Sequence, residues 1–152
     1  MKKTEAELAA EKFLKGTHPV LYILMRSDLD SLNPGKAMAQ ASHASNAMVH
    51  KASQSKNKHV QKMLKKWQTE TTQGFGTCLV LDCHDEVNMI EILGEFAERK
   101  CDIVGEIVND PSYPIRDSEI THYISLNTCA YIFGDKNDEE ISMVLEKFSL
   151  YK

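Results

Sequence analysis

Four absences in this 152-residue chain narrow the range of functions that it can have. No apolar run approaches the roughly 20 residues that cross a bilayer, so we expect no membrane association. The first residues, MKKTEAE, are charged and lack an apolar signal core, which predicts a cytoplasmic protein. The four cysteines form no C-x-x-C pair, and their apolar neighbours predict buried free thiols. The six histidines show no ligand spacing, so we expect neither a metal nor a cofactor.

Acidic residues are also missing from one long stretch. No Asp or Glu occurs from Ser31 to Thr69, where lysines give a charge of +7. Because the whole chain has a net charge of −4, the remainder carries −11. This segregation predicts a basic face for an anionic partner, although a merely solvated helix face would give the same pattern. The lysines that we expect on this face are Lys51, Lys56, Lys58, Lys62, Lys65 and Lys66.

The apolar residues that are present predict strands alternating with helices. Strands are expected at 19–26, 74–81, 101–108 and 128–133, and helices after Thr4, Asn33, Asp85 and Asn137 or Asp138 and around Trp67. This order predicts an α/β protein, a three-layer α/β/α sandwich with a small mixed sheet of about four strands. Residues 1–16 are expected to form an N-terminal helical extension to a domain at 17–152. Residues 110–127 show no regular pattern, which predicts a long loop that closes over a site as a lid.

One predicted helix carries a row of polar side chains. Lys36, Gln40 and His43 stand at i, i+4 and i+7, so they share one face of a helix that is otherwise mostly Ala and Ser. The apolar strand before it places Lys36 at the carboxyl edge of the sheet, where α/β proteins tend to bind ligands. A single lysine there would be interpreted as a solvated first-turn residue. The three residues together favour a reactive or ligand-binding site.

The motif Gly35-Lys36-x-x-Ala39-Gln40-x-x-His43-Ala44 resembles the helix of the peptidyl-tRNA hydrolase 2 family, Gly-Lys-x-x-Ala-Gln-x-x-His-Ala. Weaker similarities follow in the family's order along the chain. They are Arg26-Ser27-Asp28-Leu29, residues 80–87, Val108-Asn109-Asp110, Thr128-Cys129-Ala130 and Phe148-Ser149-Leu150-Tyr151. The resemblance covers about residue 22 to the end.

The resemblance implies a cofactor-independent homodimer that hydrolyses the ester between a peptide, or another N-blocked aminoacyl group, and the 3′ ribose of tRNA. The implied catalytic residues are Lys36, Gln40, Asp110 and Thr128, with support from His43 and Asp28. Asp110 would accept a proton or orient water, and Lys36 would stabilise the oxyanion together with the helix dipole. We expect Lys36 and Asp110 to form a salt bridge. The six lysines named above would bind the tRNA phosphates.

The chain departs from the family pattern just after Asp110. There the family has a Gly-rich loop with a Thr four residues on, whereas this chain has Pro111-Ser112-Tyr113-Pro114. Ser112 and Tyr113 are the candidates to replace that hydroxyl. Two rival functions follow: a non-catalytic relative that binds tRNA or a protein, and a hydrolase of another acyl ester or amide. The basic stretch favours tRNA over a small-molecule ester.

Overall fold

The computed structural model describes residues 2–99 and 102–152. Its elements alternate as predicted along the chain. They are α1 (Glu5–Gly16), β1 (Pro19–Arg26), α2 (Pro34–Ser53), α3 (Lys58–Gln68), β2 (Cys78–His84), α4 (Glu86–Glu98), β3 (Val104–Asp117), β4 (Ile120–Asp135) and α5 (Glu139–Leu145). Within the described residues, no helix is both long and apolar enough to cross a membrane.

The strands form one mixed sheet in the order β2-β1-β4-β3. β1 pairs with β2 in parallel and with β4 in antiparallel fashion, and β3 pairs with β4 as a hairpin. The prediction of a small mixed four-stranded sheet is therefore confirmed. Every residue of the central strand β1 is buried, as its continuous apolar sequence predicted.

Each face of the sheet has its own hydrophobic core. Alternate residues of β1 point to opposite faces, so Leu21 and Ile23 join one core while Tyr22 and Leu24 join the other. The first core contains apolar residues of α2 and α3, and the second contains those of α4 and α5. The functional residues considered below lie around α2, above the first core.

The predicted helix starts are confirmed by their caps. Thr4 and Glu7 form a capping box at the start of α1, and the side chains of Asn33, Asp85 and Asp138 cap α2, α4 and α5. In α3 the predicted apolar stripe is buried. It consists of Val60, Met63, Leu64 and Trp67.

The predicted loop at 110–127 is wrong. These residues continue β3 and β4 into one long hairpin, which turns at Ser118 with a positive φ of 54°. Two of its strand residues are prolines and many of its side chains are exposed, so the sequence lacks the apolar alternation that marks a buried strand. The outer part, residues 113–124, is called the arm below.

The cysteine prediction is only partly confirmed. Cys83 and Cys129 are buried free thiols, whereas Cys78 is exposed. Cys101, which was also expected to begin the third strand, lies outside the described residues.

Candidate active site

Helix α2 presents its first two turns at the carboxyl end of β1. Asn33 caps the helix by accepting a hydrogen bond from the Lys36 backbone N–H at 2.9 Å. Ala37 and Ala44 are buried against the sheet. Because these side chains are small, the helix backbone lies close to the strands, and the longer side chains of Lys36 and Gln40 reach past it toward β3 and β4.

Gln40 connects two of the predicted catalytic residues. Its side chain is only 3% exposed. Its Nε2 donates to Asp110 Oδ2 at 2.7 Å, and its Oε1 accepts from Thr128 Oγ1 at 2.7 Å. A carboxylate can only accept, so the amide turns its NH₂ to Asp110 and its oxygen to the hydroxyl. The structure thus joins three of the four predicted residues in one chain of hydrogen bonds, which we call the Gln40 chain.

A bulge in β4 brings Thr128 into this chain. Val108 pairs with Cys129, but the next residue of β3, Asn109, pairs with Asn127, so Thr128 is an extra residue. Cys129 faces α2, and in a regular strand Thr128 would face the opposite side of the sheet. The bulge lets both residues contact α2. Thr128 is fully buried there.

A second bulge, in β3, follows immediately. Asp110 pairs with Leu126 and Tyr113 with Ile124, so two residues of β3 stand opposite one of β4. Residues three apart on a regular strand point to opposite faces. The bulge places Asp110 and Tyr113 on the same face, beneath α2. The backbone N–H of Ser112 donates to Asp110 Oδ1 at 2.9 Å, and this hydrogen bond fixes the turn within the bulge.

Lys36 does not make the predicted salt bridge with Asp110. Its ammonium donates to the Pro114 carbonyl oxygen at 2.5 Å and lies 4.9 Å from the centre of the Tyr113 ring. The described residues contain no ion pair between Lys36 and Asp110 within 4.0 Å. Both contacts come from the arm, a segment for which the sequence predicted a loop.

The hydroxyl candidates after Asp110 also take other partners. Tyr113 is fully buried, and its Oη lies 3.1 Å from Ser31 Oγ. Ser112 contacts Asp110 through its backbone rather than its hydroxyl. The part of the chain that the structure describes therefore shows no hydroxyl from either residue on Asp110.

Asp28 contacts Arg26, a residue to which the sequence analysis gave no role of its own. Arg26, with a side chain only 9% exposed, donates two hydrogen bonds to Asp28 at 2.8 and 2.9 Å and one to the Asn127 carbonyl at 2.9 Å. The Glu86 carboxylate lies 3.6 Å from the Arg26 guanidinium. The hydrogen bonds from Arg26 lower the pKa of the Asp28 carboxyl from its ordinary value. Through its hydrogen bond to the Asn127 carbonyl, Arg26 fixes the backbone just before Thr128.

Cys129 is the remaining reactive group near the Gln40 chain. Its Sγ lies 3.7 Å from the Gln40 carbonyl oxygen. Burial raises the pKa of this thiol to about 12. Since the thiolate is the nucleophilic form, Cys129 is a packing residue at neutral pH.

The model of the family described as peptidyl-tRNA hydrolase PTH2 matches residues 19–151. The chain belongs to the PTH2 family. Among curated proteins, none matches the chain at a significant level. Membership of the PTH2 family supports hydrolysis of peptidyl-tRNA at the level of the family. The match begins with β1 and so includes the whole Gln40 chain.

His43, the third polar residue of the PTH2-like motif, lies one helical turn beyond Gln40. It is exposed, and in the described part of the chain it has no hydrogen bond or ion pair. Its supporting role therefore stays a prediction, without a contact that would transmit it to the Gln40 chain.

The predicted tRNA-binding lysines lie away from this site. Lys66 donates to the Thr17 carbonyl oxygen, just before β1, whereas the Gln40 chain lies beyond the other end of that strand. The two ends of β1 are roughly 25 Å apart at about 3.3 Å per residue. Lys51 pairs with Glu106 at 3.3 Å. Lys56, Lys58 and Lys65 are exposed, and Lys62 is half-buried.

On the opposite flank of α2 lies a cavity of about 500 Å³. It opens between α2 and β2, and apolar side chains form most of its wall. The lining residues are Met25, Leu32, Pro34, Ala37, Met38, Ala41, Val80, Tyr151 and Lys152. Among all the described residues, no cluster of three His, Cys, Asp or Glu side chains is suited to bind a metal ion.

Proposed function

We propose that this PTH2 family member hydrolyses the ester that links a peptide to the 3′ ribose of tRNA. The observation that carries the proposal is the Gln40 chain, in which a buried amide holds Asp110 and Thr128 beside the start of a helix that bears Lys36. Ester hydrolysis needs a proton acceptor, a positioned water and a cation or dipole for the oxyanion. Around Gln40, Asp110 can orient a water and accept its proton, and Lys36 and the helix dipole can stabilise the oxyanion.

In the proposed reaction Asp110 orients a water molecule and accepts one of its protons. The water oxygen attacks the ester carbonyl carbon, and negative charge develops on the carbonyl oxygen. Lys36 and the N-terminal dipole of α2 stabilise that charge. The bond to the ribose 3′ oxygen then breaks, and that oxygen takes the proton held by Asp110. The new carboxyl group loses its remaining proton to solvent, so the products are a peptide carboxylate and tRNA with a free 3′ hydroxyl.

Gln40 and Thr128 have positioning roles in this scheme. The Gln40 amide fixes one Asp110 oxygen, and the Ser112 N–H fixes the other, so the carboxylate plane is held. Thr128 contacts Gln40 rather than Asp110. We therefore propose that Thr128 acts on Asp110 through the amide, instead of touching the carboxylate or the water.

The deciding experiment measures release of N-acetyl-aminoacyl groups from tRNA under single-turnover conditions. We expect wild-type turnover, a loss of about 10³-fold in Asp110→Asn and about 10²-fold in Lys36→Ala, in line with the removal of a catalytic base or an oxyanion donor. Asp117→Asn and Lys136→Ala are matched controls, because they remove exposed charges outside the site. Circular dichroism checks that every variant is folded.

An inactive wild type that still binds tRNA would instead identify the non-catalytic relative. Turnover of simple N-acyl amino-acid esters at the same kcat/KM as the tRNA ester would identify a general acyl ester hydrolase.

We also propose that the basic face binds tRNA phosphates. The separation of roughly 25 Å between the two ends of β1 means that an RNA of only a few nucleotides cannot reach both the site and α3. We expect Lys62→Glu/Lys65→Glu to raise KM for whole tRNA and leave KM for a short 3′-terminal fragment unchanged. Binding of whole tRNA should weaken with rising salt; salt-independent binding argues against this face.

Two further proposals do not depend on contacts in the structure: the location comes from the amino-acid sequence, and the oligomeric state comes from the family. We propose a cytoplasmic enzyme and a homodimer. Light scattering of the purified protein measures the second directly, and a monomeric mass that is independent of concentration would refute it.

A further inference from the structure

We propose that Tyr113 is a positioning residue that holds the Lys36 ammonium near the Asp110 carboxylate while keeping the two out of contact. The inference deepens the proposed function, and it rests on that function only for the kinetic consequence. The position of the ammonium is itself a structural claim that can be measured without catalysis.

The first support is the environment of the ammonium. A lysine has a long flexible stem, so a catalytic ammonium must be held by its surroundings. Here the Tyr113 ring centre lies 4.9 Å from Nζ and the Pro114 carbonyl accepts its hydrogen bond. A cation within about 6 Å of an aromatic ring face is attracted to it, more strongly when water is excluded. The ring of Tyr113 is fully buried.

The second support is the way the ring is fixed. Tyr113 Oη lies within hydrogen-bond distance of Ser31 Oγ, in the segment that leads into α2. The ring is therefore tied to the same end of α2 that carries Lys36. The hydroxyl is used for this anchor, so the ring rather than the hydroxyl is what Lys36 contacts.

The third support is the bulge in β3. Without it, Asp110 and Tyr113 would point to opposite faces of the hairpin. With it, the carboxylate and the ring lie side by side beneath α2, each with its own partner there: Gln40 for Asp110 and Lys36 for Tyr113. The ammonium and the carboxylate thus have separate partners beneath α2 and do not pair.

Keeping the charges apart has a chemical consequence. In a contact ion pair, each charge satisfies the other, and the ammonium is less available to an oxyanion. Held on the ring and a neutral carbonyl, the ammonium keeps its charge for the substrate. Removal of the ring should let Lys36 move onto Asp110, which lowers kcat with little effect on KM.

The test combines nuclear magnetic resonance with kinetics. Lysines are dimethylated with ¹³C formaldehyde, and the Lys36 signal is assigned by its absence in Lys36→Arg. In wild type we expect that signal upfield of the other lysine signals, because the methyl groups lie over the Tyr113 ring. Tyr113→Phe should keep the upfield shift, and Tyr113→Leu should lose it. A wild-type Lys36 signal without the upfield shift overturns the proposal, even if Tyr113→Leu fails to fold.

The kinetic part of the test uses the same variants without dimethylation of their lysines. We expect Tyr113→Phe to retain kcat within about threefold and Tyr113→Leu to lose about tenfold in kcat at unchanged KM, since a cation–π contact of this kind is of the order of 1 kcal/mol. A folded Tyr113→Leu with wild-type kcat overturns the proposal. An upfield signal in a wild type that hydrolyses nothing would refute the proposed function and leave the positioning of Lys36 supported.

Discussion

The inner and outer halves of the β3–β4 hairpin differ mainly in burial. In the inner half, Tyr131, Ile132 and Phe133 are completely buried, and the pairing with β3 is regular. In the outer half, Ile120 is 62% and Tyr123 69% exposed. The two bulges, and with them Asp110 and Thr128, lie where one half gives way to the other. A buried base and a largely exposed arm thus meet at the candidate site residues.

The largest effect is expected in the inner half. Phe133 is fully buried and meets Trp67 edge to face, with ring centres 6.1 Å apart. Phe133→Ala should lower the free energy of unfolding by about 3–5 kcal/mol, the usual cost of such a truncation. Urea denaturation measures it. The matched outer variant, Ile120→Ala, should stay within about 0.5 kcal/mol of wild type; equal losses would contradict the division between the two halves.

The second largest effect is expected at Thr128, where the inner and outer halves of the hairpin meet. Thr128→Val keeps the shape of the side chain but leaves the buried Gln40 oxygen without its donor, which should cost about 1–3 kcal/mol. We also expect about tenfold slower ester hydrolysis, because Gln40 would no longer be held toward Asp110. Thr128→Ser restores the hydroxyl and should recover most of both losses. A valine variant as stable and active as wild type would remove Thr128 from the site.

A smaller effect is expected when the arm is shortened. Ile115 pairs with His122, so residues 116–121 can be replaced by Asn-Gly, which closes a two-residue hairpin. Because the removed side chains are exposed, the free energy of unfolding should change by less than about 1 kcal/mol. Urea denaturation tests this. If the shortened protein does not fold, residues 116–121 are needed for stability despite their exposure.

The same shortened protein tests whether the arm acts as a lid. Tyr113 and Pro114 remain in place, so we expect Lys36 and kcat to be unaffected. A fall in kcat, or a rise in KM, would show that the tip contacts substrate.

The smallest effect concerns pH. The hydrogen bonds from Arg26 lower the pKa of Asp28 in the folded protein. A lowered folded-state pKa means that the ionised carboxylate stabilises the fold above the unfolded-state pKa of about 4, and that this contribution is lost as pH falls through the folded-state value. Asp28→Asn should therefore flatten the fall in Tm between about pH 4 and pH 2. Asp30→Asn, an exposed neighbour, should follow wild type.

The buried helices and strands could be predicted from the sequence because burial leaves a repeating pattern of apolar residues. The apolar run of β1, the stripe of α3 and the cap at Asn33 each depend on neighbours in the chain, so they could be identified locally. Lys36 and Gln40 could be placed on one face of α2 for the same reason. Asp110 was identified by family resemblance alone.

The outer hairpin could not be predicted in this way. A bulge is defined by the register between two strands, and no local pattern reports it. Pro111 and Pro114 were signals of an interrupted strand, but they were equally consistent with a loop. The wrong salt bridge for Lys36 followed from this error, since its actual partners lie on the arm. Arg26 was noted only as part of a family-like segment and given no role, because a single arginine at a strand end has no periodicity.

The paired bulges also constrain how such a gene can change. Each adds one residue to its own strand, so the two strands switch faces together and stay in step beyond the site. Loss of the single codon for Ser112 would turn either Asp110 or Tyr113 to the wrong side of the hairpin, while whole pairs of residues can be lost from the tip. We therefore expect deletions of opposed residue pairs to be tolerated near the turn at Ser118, and one-codon deletions at the bulges to be eliminated by selection.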